Sequence, residues 1–334
     1  MDPIDLAIGN PAFLQTFWQD HHSYQETVSY QDMDYEREGG RESLKQAIRN
    51  LHAKVGNAIT QDRHIVIGNG ATQLLVATMQ AMRVQYGQNA FRAQAPYYFR
   101  LPQLARSSGG EWRRSRGHEI VTLPGNPDNR RYEPLEAPQG THRILDACYA
   151  WPTYDPCTVP VDDEAVVFSL AKATGHAASR IGWGIYKDAD LAAKVAKYIE
   201  ITTGGVSVEA QNRAEALLED TYVSASDGWV MGTQPTLATS CFAEGRKVLE
   251  GRWQILNQLQ HPRFKILNNY GMFGWCQLDH QVPLEGLDVV DYLQEYFGVK
   301  CVDGQFFGGV KGTFRLNFGC DEPTFQAFLK RVYR

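Results

Sequence analysis

No apolar run in the 334-residue sequence is long enough to cross a lipid bilayer, which argues against a helical membrane span. Positive charge is also scarce, because 33 Lys and Arg residues stand against 38 Asp and Glu residues and leave a net charge of −5. A general binder of nucleic acid or another polyanion needs a basic excess. The sequence therefore predicts a protein with no membrane span and no general affinity for nucleic acid.

Paired cysteine motifs are missing as well, since the six cysteines are scattered and no two form a Cys-x-x-Cys motif. This spacing argues against a disulfide framework and against a structural zinc site. Residues 1–5 have neither the basic region nor the apolar stretch of a signal peptide. We therefore expect reduced thiols, no bound metal and a cytoplasmic location.

Hydrophobic residues are plentiful. They make up 43% of the chain against 21% charged residues, so the chain can bury a sizeable core. Short apolar runs rich in β-branched residues predict buried strands at 64–68, 143–148, 164–169 and 181–186. A helical pattern covers 72–86. Strands that are apolar on both faces and separated by helices indicate an α/β fold with a mainly parallel sheet covered on both sides.

After the predicted parallel sheet the chain continues with helices, and from residue 264 onward it mixes helices with strands. The predicted helices lie at 208–218, 236–259, 288–297 and 324–332, and the predicted strands lie within 264–278 and at 311–318. The last of these strands alternates apolar and polar residues. The pattern predicts a smaller α+β domain after the parallel sheet.

A lysine follows one of the predicted buried strands directly. Lys172 has Ser169 three residues before it and Arg180 eight residues after it. A lysine that forms a Schiff base needs a site of low dielectric and a nearby cation, and a phosphate suits a hydroxyl together with a guanidinium. The three residues fit pyridoxal phosphate, with Lys172 on the aldehyde and the other two on the phosphate. A surface lysine and arginine near a strand end are the alternative.

A glycine-containing loop lies between the first predicted strand and the helix that follows it, in Gly68-Asn69-Gly70-Ala71-Thr72. Glycines let the backbone turn tightly, and free N–H groups at the start of a helix bind anions. The loop lacks the third glycine of a dinucleotide site and the Gly-Lys-Ser/Thr of a P-loop. It is either a phosphate loop of another kind or an ordinary turn.

Polar residues with a possible role at a cofactor ring occur in three further places. Asp146 ends an apolar strand, where a buried carboxylate needs a partner such as a pyridinium nitrogen. Tyr149 and Asn126 could each form a hydrogen bond with the phenolic oxygen of such a ring. Tyr97 or Tyr98 could stack on it. A helix cap, an Asn-Pro turn and plain packing are the respective alternatives.

Arg315 stands in the alternating strand at 311–318. An arginine that faces inward among apolar residues needs a carboxylate partner, such as the carboxylate of a substrate. The alternation permits an outward-facing arginine equally well. The sequence pattern leaves both orientations open.

The order of these residues along the chain resembles that in fold-type I pyridoxal-phosphate enzymes of the aminotransferase superfamily. Within it, the chain is similar to the branch of alliinase and plant-type tryptophan–pyruvate aminotransferase. The run Lys-x-Thr-Gly-His-x-x-Ser-Arg-x-Gly-Trp at 172–183 carries the resemblance, together with 65–74, 95–98 and 146–152. The resemblance extends from Ile4 to the C-terminus. It implies a seven-stranded, mainly parallel sheet between helices in a large domain, with a smaller α+β domain beside it.

The resemblance also implies the domain limits and the roles of individual residues. The large domain would span 30–235, and the small domain would consist of 1–29 and 236–334. Lys172, the lysine of the internal aldimine, would be catalytic together with Asp146 and Tyr149. The implied cofactor-binding residues are Tyr35, Gly70, Ala71, Thr72, Tyr98, Asn126, Asp146, Tyr149, Ser169, Lys172 and Arg180. The implied substrate-binding residues are Gly9, Asn10, Asn126 and Arg315.

The implied activity is transamination between an aromatic or apolar L-amino acid and a 2-oxo acid, with pyridoxal 5'-phosphate as cofactor. The implied assembly is a homodimer in which Tyr35 reaches the phosphate of the neighbouring subunit. The same residues would also serve a β-eliminating C–S lyase or a decarboxylase, and a non-catalytic protein on this fold is a further alternative. One departure is Ala171, where this branch usually has serine before the lysine.

Overall fold

The computed structural model of the chain describes residues 2–21, 35, 39–132, 140–155, 159–224, 240–284 and 286–333. The described strands are β1 (Ile4–Asp5), β2 (His64–Gly68), β3 (Ala90–Arg92), β4 (Glu111–Trp112), β5 (His118–Thr122), β6 (Arg143–Asp146), β7 (Ala165–Ser169), β8 (Gly182–Tyr186), β9 (Phe264–Ile266), β10 (Phe273–Leu278), β11 (Val299–Lys300), β12 (Val302–Asp303) and β13 (Thr313–Asn317). The described helices are α1 (Gln15–His21), α2 (Glu42–Val55), α3 (Ala71–Tyr86), α4 (Leu101–Ser107), α5 (Leu170–Ala173), α6 (Ala189–Thr203), α7 (Val208–Ser224), α8 (Cys241–Gln258), α9 (Val289–Phe297) and α10 (Glu322–Val332).

The large sheet has seven strands in the order β2-β8-β7-β6-β5-β3-β4. All neighbouring strands run parallel except β8, which is antiparallel to both β2 and β7. Strands β5, β7 and β8 are buried at every position, although β5 carries the polar residues His118, Glu119 and Thr122. The prediction of a seven-stranded, mainly parallel sheet is therefore confirmed. Because β5, β6 and β7 are parallel, their last residues, Thr122, Asp146 and Ser169, lie at one edge of the sheet.

The smaller sheet is antiparallel, with the strand order β12-β13-β10-β9. Strand β13 is buried at all five positions, although its sequence alternates. Phe314 and Leu316 belong to the hydrophobic core of this part of the chain, whereas Arg315 and Asn317 form hydrogen bonds with the N-terminal segment. Both faces of the strand are covered. Of the two orientations that the alternating pattern left open for Arg315, the outward-facing one is therefore wrong.

Two hydrophobic cores hold the structure together. The larger one surrounds the seven-stranded sheet and also takes in Phe13, Leu14 and Phe242. The smaller one fills the space between the antiparallel sheet and helices α8, α9 and α10, and it includes Leu6 of the N-terminal segment. A division into a large domain at 30–235 and a small domain made of 1–29 and 236–334 stays a prediction.

The described cysteines are all free and buried, and Cys157 lies outside the described residues. The expectation of reduced thiols agrees with this arrangement at the other five positions. Within the described part of the chain, no helix combines the length and the apolar character that a membrane span needs.

A fully buried histidine joins α2 to the large sheet. Trp183 Nε1 donates to His52 Nε2 at 2.9 Å, so the ring proton of His52 lies on Nδ1 and is donated to Asn57 Oδ1 at 2.7 Å. Burial lowers the pKa of His52 from 6.5 to about 4. A second proton would have to enter at Nε2, where the indole N–H already points. The folded protein therefore holds this histidine neutral.

Acidification from pH 7 to pH 5 is expected to lower the free energy of unfolding by about 2 kcal/mol because of His52 alone. The unfolded chain takes up a proton near pH 6.5, whereas the folded chain resists it down to about pH 4, so stability falls as the pH drops through this window. Urea unfolding at both pH values measures the loss. His52→Gln keeps one donor and one acceptor without titrating, and it should lose correspondingly less. An equal loss in the variant and the wild type would refute the expectation.

Candidate active site

A cavity of about 440 Å³ opens at the edge of the large sheet where β5, β6 and β7 end. The N-terminal segment and β13 close its other side. Its wall is formed by Ala7, Ile8, Gly9, Ala71, Thr72, Leu75, Tyr98, Phe99, Arg100, Asn126, Asp146, Cys148, Tyr149, Ser169, Ala171, Lys172, Ala177, Arg180, Val302 and Arg315. Most of the site residues implied by the sequence resemblance therefore surround one space.

Lys172 projects into the cavity from α5, the short helix that follows β7. Its Nζ donates to the carbonyl oxygen of Gly9 and lies 5.6 Å from the ring centroid of Tyr149. Burial lowers the pKa of Lys172 to about 8, and the nearby guanidinium of Arg315 acts in the same direction. A substantial fraction of this amine is thus neutral near pH 8, which a nucleophile or a proton acceptor requires.

Asp146 is only 4% exposed at the end of β6. Its carboxylate accepts hydrogen bonds from Thr122 Oγ1 at 3.4 Å and from the backbone N–H of Cys148 at 3.3 Å. Burial raises the pKa of this carboxyl, and among the described residues no cationic side chain forms an ion pair with it. A buried carboxylate in the cavity wall that has no cationic partner among the described residues fits a protonated pyridine nitrogen.

The opposite end of the cavity suits a phosphate. Helix α3 begins at Ala71, after Gly70 with a φ of +82°, and the side chain of Arg180 packs against that glycine. A Cβ on Gly70 would lie 2.5 Å from Arg180 Nη2, and a Cβ on Gly182 would lie 2.7 Å from the backbone nitrogen of Ala71. The close packing brings a helix N-terminus, the guanidinium and the hydroxyl of Ser169 to one place.

Arg315 lies on the side of the cavity formed by β13 and is only 2% exposed. Its Nη1 donates to Asn126 Oδ1 at 2.8 Å and its Nη2 donates to the carbonyl of Ala7 at 2.6 Å. Its buried Nε has no hydrogen-bond partner, and no carboxylate in the described ranges pairs with the guanidinium. Burial lowers the pKa of Arg315 to about 10. This buried cation lacks an anion, and a substrate carboxylate in the cavity would supply one.

Two tyrosines in the wall are largely withdrawn from water. Asn126 Nδ2 donates to the Tyr149 hydroxyl at 3.5 Å, and burial raises the pKa of that hydroxyl well above its usual value. Tyr98 also lines the cavity, and burial raises its pKa to about 12. Tyr97 instead packs edge-on against Trp112, with ring centroids 5.0 Å apart. Of the two candidates for a stacking aromatic, only Tyr98 lines this cavity.

Some implied site residues lie outside the cavity wall. Tyr35 is 75% exposed and lies near Gly204, and neither Gly70 nor Asn10 belongs to the described lining of the cavity. Sequence reasoning missed Thr122 and Cys148, which hold the carboxylate of Asp146. Thr122 ends strand β5, which the search for apolar runs does not predict because its first two residues, His118 and Glu119, are polar. The individual roles of all these residues stay predictions.

A segment that we call the N-terminal strap, residues 7–11, crosses the cavity and is held there by Asn317. The Nδ2 of Asn317 donates to the carbonyls of Ile8 at 2.7 Å and Asn10 at 3.0 Å, and its Oδ1 accepts from the N–H of Gly319 at 2.9 Å. Asn317 is 2% exposed and follows Arg315 by two positions, so both side chains contact the strap from one face of β13. Asn317 thus acts on the cavity through the strap.

Asn317→Ala is expected to raise the KM for an amino acid substrate about tenfold while changing kcat less than threefold. The substitution removes both hydrogen bonds that Asn317 donates to the strap, and each such bond contributes about 1 kcal/mol. Steady-state kinetics separates the two constants. Thr313→Val is the matched control, because Thr313 lies on the same strand and its hydroxyl bonds to the carbonyl of Val310 instead. If the two variants change kcat and KM to the same extent, a positioning role for Asn317 is contradicted.

Comparison with known proteins identifies the family of this chain. The family model Alliinase_C, described as allinase, matches residues 4–333. Tryptophan aminotransferase-related protein 2 of Arabidopsis thaliana is 29% identical over 98% of this chain and 80% of its own length. Tryptophan aminotransferase-related protein 3 of the same plant is 33% identical over 77% of this chain and 59% of its own length. Alliin lyase of Allium cepa var. aggregatum is 30% identical, over 75% of this chain and 60% of its own length.

Solved structures of aminotransferases share the fold at low sequence identity. Aspartate aminotransferase from Thermus thermophilus with maleate has a TM-score of 0.75 and 18% identity, covering 100% of this chain and 91% of its own. YbdL from Escherichia coli, described with a methionine aminotransferase function, has a TM-score of 0.71 and 19% identity, covering 99% and 93%. The predicted fold type I architecture is confirmed. The chain belongs to the alliinase family, which includes tryptophan aminotransferase-related proteins and alliin lyases, and this membership implies a pyridoxal-phosphate-dependent enzyme.

Proposed function

We propose that the protein is a pyridoxal-phosphate-dependent aminotransferase that uses an aromatic or apolar L-amino acid and a 2-oxo acid. The observation that carries this proposal is the buried guanidinium of Arg315, which has no carboxylate partner among the described residues and faces the same cavity as Lys172 and Asp146. A site that binds the α-carboxylate of its substrate favours reactions in which that carboxylate is retained. Decarboxylation is the reaction it favours least.

The residues of the cavity fit pyridoxal phosphate at each of its functional groups. Asp146 would pair with the pyridine nitrogen, and Asn126 and Tyr149 would bind the ring oxygen. Tyr98 would stack on the ring and Lys172 would hold the aldehyde. The phosphate would be bound by Gly70, Ala71, Thr72, Ser169 and Arg180. When bound, this cofactor withdraws electrons from the α-carbon of an amino acid.

Binding of the substrate would begin at Arg315, because its guanidinium offers a fork of donors that matches a carboxylate. Asn126 already accepts from Nη1 and fixes the plane of that fork. The carboxylate would displace the carbonyl of Ala7 from Nη2. The contact would orient the α-carbon toward Lys172, whose Nζ would then accept the α-proton. The lowered pKa of Lys172, about 8, keeps enough of the amine neutral for this task.

The remaining wall supports an apolar substrate side chain. Ile8, Leu75, Phe99 and Val302 line the cavity alongside Tyr98. The side chain of Ile8 is 65% exposed here, so it is available to cover a bound molecule. An apolar or aromatic side chain would gain about 25 cal/mol for each Å² that it removes from water against these residues.

A homodimer with two shared sites is part of the proposal. Tyr35 does not line the cavity of its own chain and is 75% exposed, which is consistent with a role at the phosphate of a neighbouring subunit. Sedimentation would show a dimer at micromolar concentration. Full activity in a monomeric preparation would contradict this part of the proposal.

The proposal is tested by recording the visible absorption of the purified protein, loaded with pyridoxal phosphate, while L-amino acids are added singly without any 2-oxo acid. Loss of the band of the bound aldehyde, with growth of the pyridoxamine band, would support transamination and identify the donor. A persistent band with release of pyruvate and ammonia would favour a C–S lyase, a reaction that the similarity to alliin lyases supports. Carbon dioxide release would indicate a decarboxylase, and the absence of a band after loading would overturn the cofactor assignment.

A further inference from the structure

A second space, which we call the α8 groove, is lined by residues 153–154, by one face of α8 from 246 to 257 and by residues 269–271. Its volume is about 250 Å³, and none of the described residues that line it also lines the cavity with Lys172. Sites for drug-sized ligands measure about 300–1,000 Å³, so the α8 groove suits a single smaller molecule.

One face of α8 presents two opposite charges and an aromatic ring to the groove. Arg246, Glu250 and Trp253 follow one another at spacings of four and three residues, which places them on the same face of the helix. Arg246 Nε donates to Glu250 Oε1 at 3.0 Å. Trp253 is buried, whereas the side chain of Glu250 is 63% exposed. The face therefore combines a buried indole with an ion pair that solvent reaches.

Both members of this ion pair keep binding capacity. In the part of the chain that the structure describes, no group bonds to Nη1 or Nη2 of Arg246 or to the second carboxylate oxygen of Glu250. A guanidinium binds a carboxylate through two parallel N–H···O bonds, and a carboxylate accepts hydrogen bonds from an ammonium group. A ligand with one charge would occupy only one of the two partners, whereas a ligand with both charges would occupy the two together.

The apolar part of the groove is made by side chains whose polar atoms already have partners. Trp253 Nε1 donates to the carbonyl of Gly271 at 2.7 Å. The Tyr270 hydroxyl donates to the carbonyl of Asn129. Because these polar atoms are bonded inside the protein, the two rings offer the groove mainly apolar surface, to which Leu249 adds an aliphatic side chain. This surface suits an aromatic or aliphatic side chain of a ligand.

We propose that the α8 groove binds a free amino acid in its zwitterionic form, with an aromatic or apolar side chain. Its α-carboxylate would pair with Arg246 and its α-ammonium group with Glu250, while its side chain would lie against Trp253. By standard bond lengths, the ammonium nitrogen and the nearest carboxylate oxygen of an amino acid are about 3 Å apart. The Nε–Oε1 distance of the ion pair is also 3.0 Å, so the four charged groups can alternate in sign. This binding depends on the groove alone and not on the proposed aminotransferase function.

Tyr154 joins the α8 groove to the site that contains Lys172. It lines the groove and is only 2% exposed, and its hydroxyl donates to the backbone carbonyl of Lys172 at 3.0 Å. Its ring also meets that of Tyr149 edge-on, with the ring centroids 5.6 Å apart. An amino acid in the groove would therefore contact the side chain that holds the main chain of Lys172, although it would lie outside the cavity.

Equilibrium dialysis against isotope-labelled L-phenylalanine counts the equivalents bound per chain. The protein is first loaded with pyridoxal phosphate and reduced with borohydride, so that the amino acid cannot react at Lys172. We expect one equivalent to occupy the α8 groove, and Arg246→Gln should weaken its binding about tenfold or more, because glutamine lacks the guanidinium. Lys247→Gln is the matched control, since Lys247 is the exposed neighbour on α8 and does not line the groove. Both variants should keep the melting temperature of the wild type, because one ion pair within a helix contributes little to stability.

Two analogues test the recognition of each charge separately. Phenethylamine lacks the carboxylate and 3-phenylpropanoate lacks the ammonium group, so each should displace labelled phenylalanine from the groove about tenfold less well than phenylalanine itself. Glu250→Gln should weaken the binding of phenylalanine and leave that of 3-phenylpropanoate within about twofold of the wild type, because only phenylalanine carries an ammonium group. The difference between the two ligands should therefore disappear in this variant.

Unchanged binding of phenylalanine in Arg246→Gln would overturn the proposal, as would equal losses in Arg246→Gln and Lys247→Gln. Equal binding of phenylalanine and 3-phenylpropanoate to the wild type would also overturn it, since that result indicates a site for anions and not for amino acids. Failure of the proposed function would instead appear as unchanged absorption when amino acids are added to the unreduced protein. That failure would leave this binding assignment intact, because the two sites share no described lining residue.

Discussion

Lys172→Ala is expected to lower the rate of amino acid turnover by at least about a thousandfold. Among the described residues of the cavity wall, Lys172 is the only lysine. No other described group of the wall carries an amine that can both hold an aldehyde and accept a proton at the α-carbon. Tyr149 is another acid–base group of the wall, but burial raises the pKa of its hydroxyl and keeps it protonated.

Three measurements would establish that this loss is chemical. Borohydride treatment of the loaded wild type should leave a stable label on the peptide that contains Lys172, and the variant should carry none. The melting temperature should change little or rise, because the lysine has a lowered pKa and its burial is unfavourable in the charged form. Lys187→Ala is the control, since Lys187 is exposed and pairs with Asp162 at 3.1 Å. Retention of more than a tenth of the activity in Lys172→Ala would refute the assignment and favour a non-catalytic role.

Asp146→Asn is expected to weaken the binding of pyridoxal phosphate by about a hundredfold or more, since removing one member of a buried ion pair costs about 3–5 kcal/mol. Turnover should fall in addition, because the cofactor ring without a protonated nitrogen withdraws electrons poorly. Asparagine has the shape of aspartate; its Oδ1 can accept from the N–H of Cys148, and its Nδ2 can donate to the hydroxyl of Thr122. The variant therefore removes the charge and leaves the local geometry in place.

Equilibrium dialysis of the cofactor and the pH dependence of its visible band would measure these effects. Asp128→Asn is the matched control, since Asp128 is 1% exposed, bonds to the Tyr132 hydroxyl and does not line the cavity. It should alter stability and leave cofactor affinity within about twofold of the wild type. If Asp146→Asn binds the cofactor as tightly as the wild type, Asp146 is a structural residue and the orientation of the ring must be assigned anew.

The sequence predicted those parts of the fold that depend on residues close together in the chain. The runs at 64–68 and 164–169 are apolar on both faces, and the structure has β2 and β7 at these places. The short strand β4 and strand β5 carried weaker signals and were not predicted. Residues 236–239 of a predicted helix lie outside the described residues, and α8 begins at Cys241.

The sequence by itself determined the α/β class, the place of Lys172 after a buried strand and the motifs that identify the family. These features are local, since they depend on residue types at short and fixed spacings. Only the tertiary structure decided that Arg315 faces inward, that Asn317 holds the strap and that Arg100 borders the same cavity. The contacts of Arg315 and Asn317 join residues 189 to 309 positions apart in the chain. An alternating strand has the same sequence pattern whether one or both of its faces are covered.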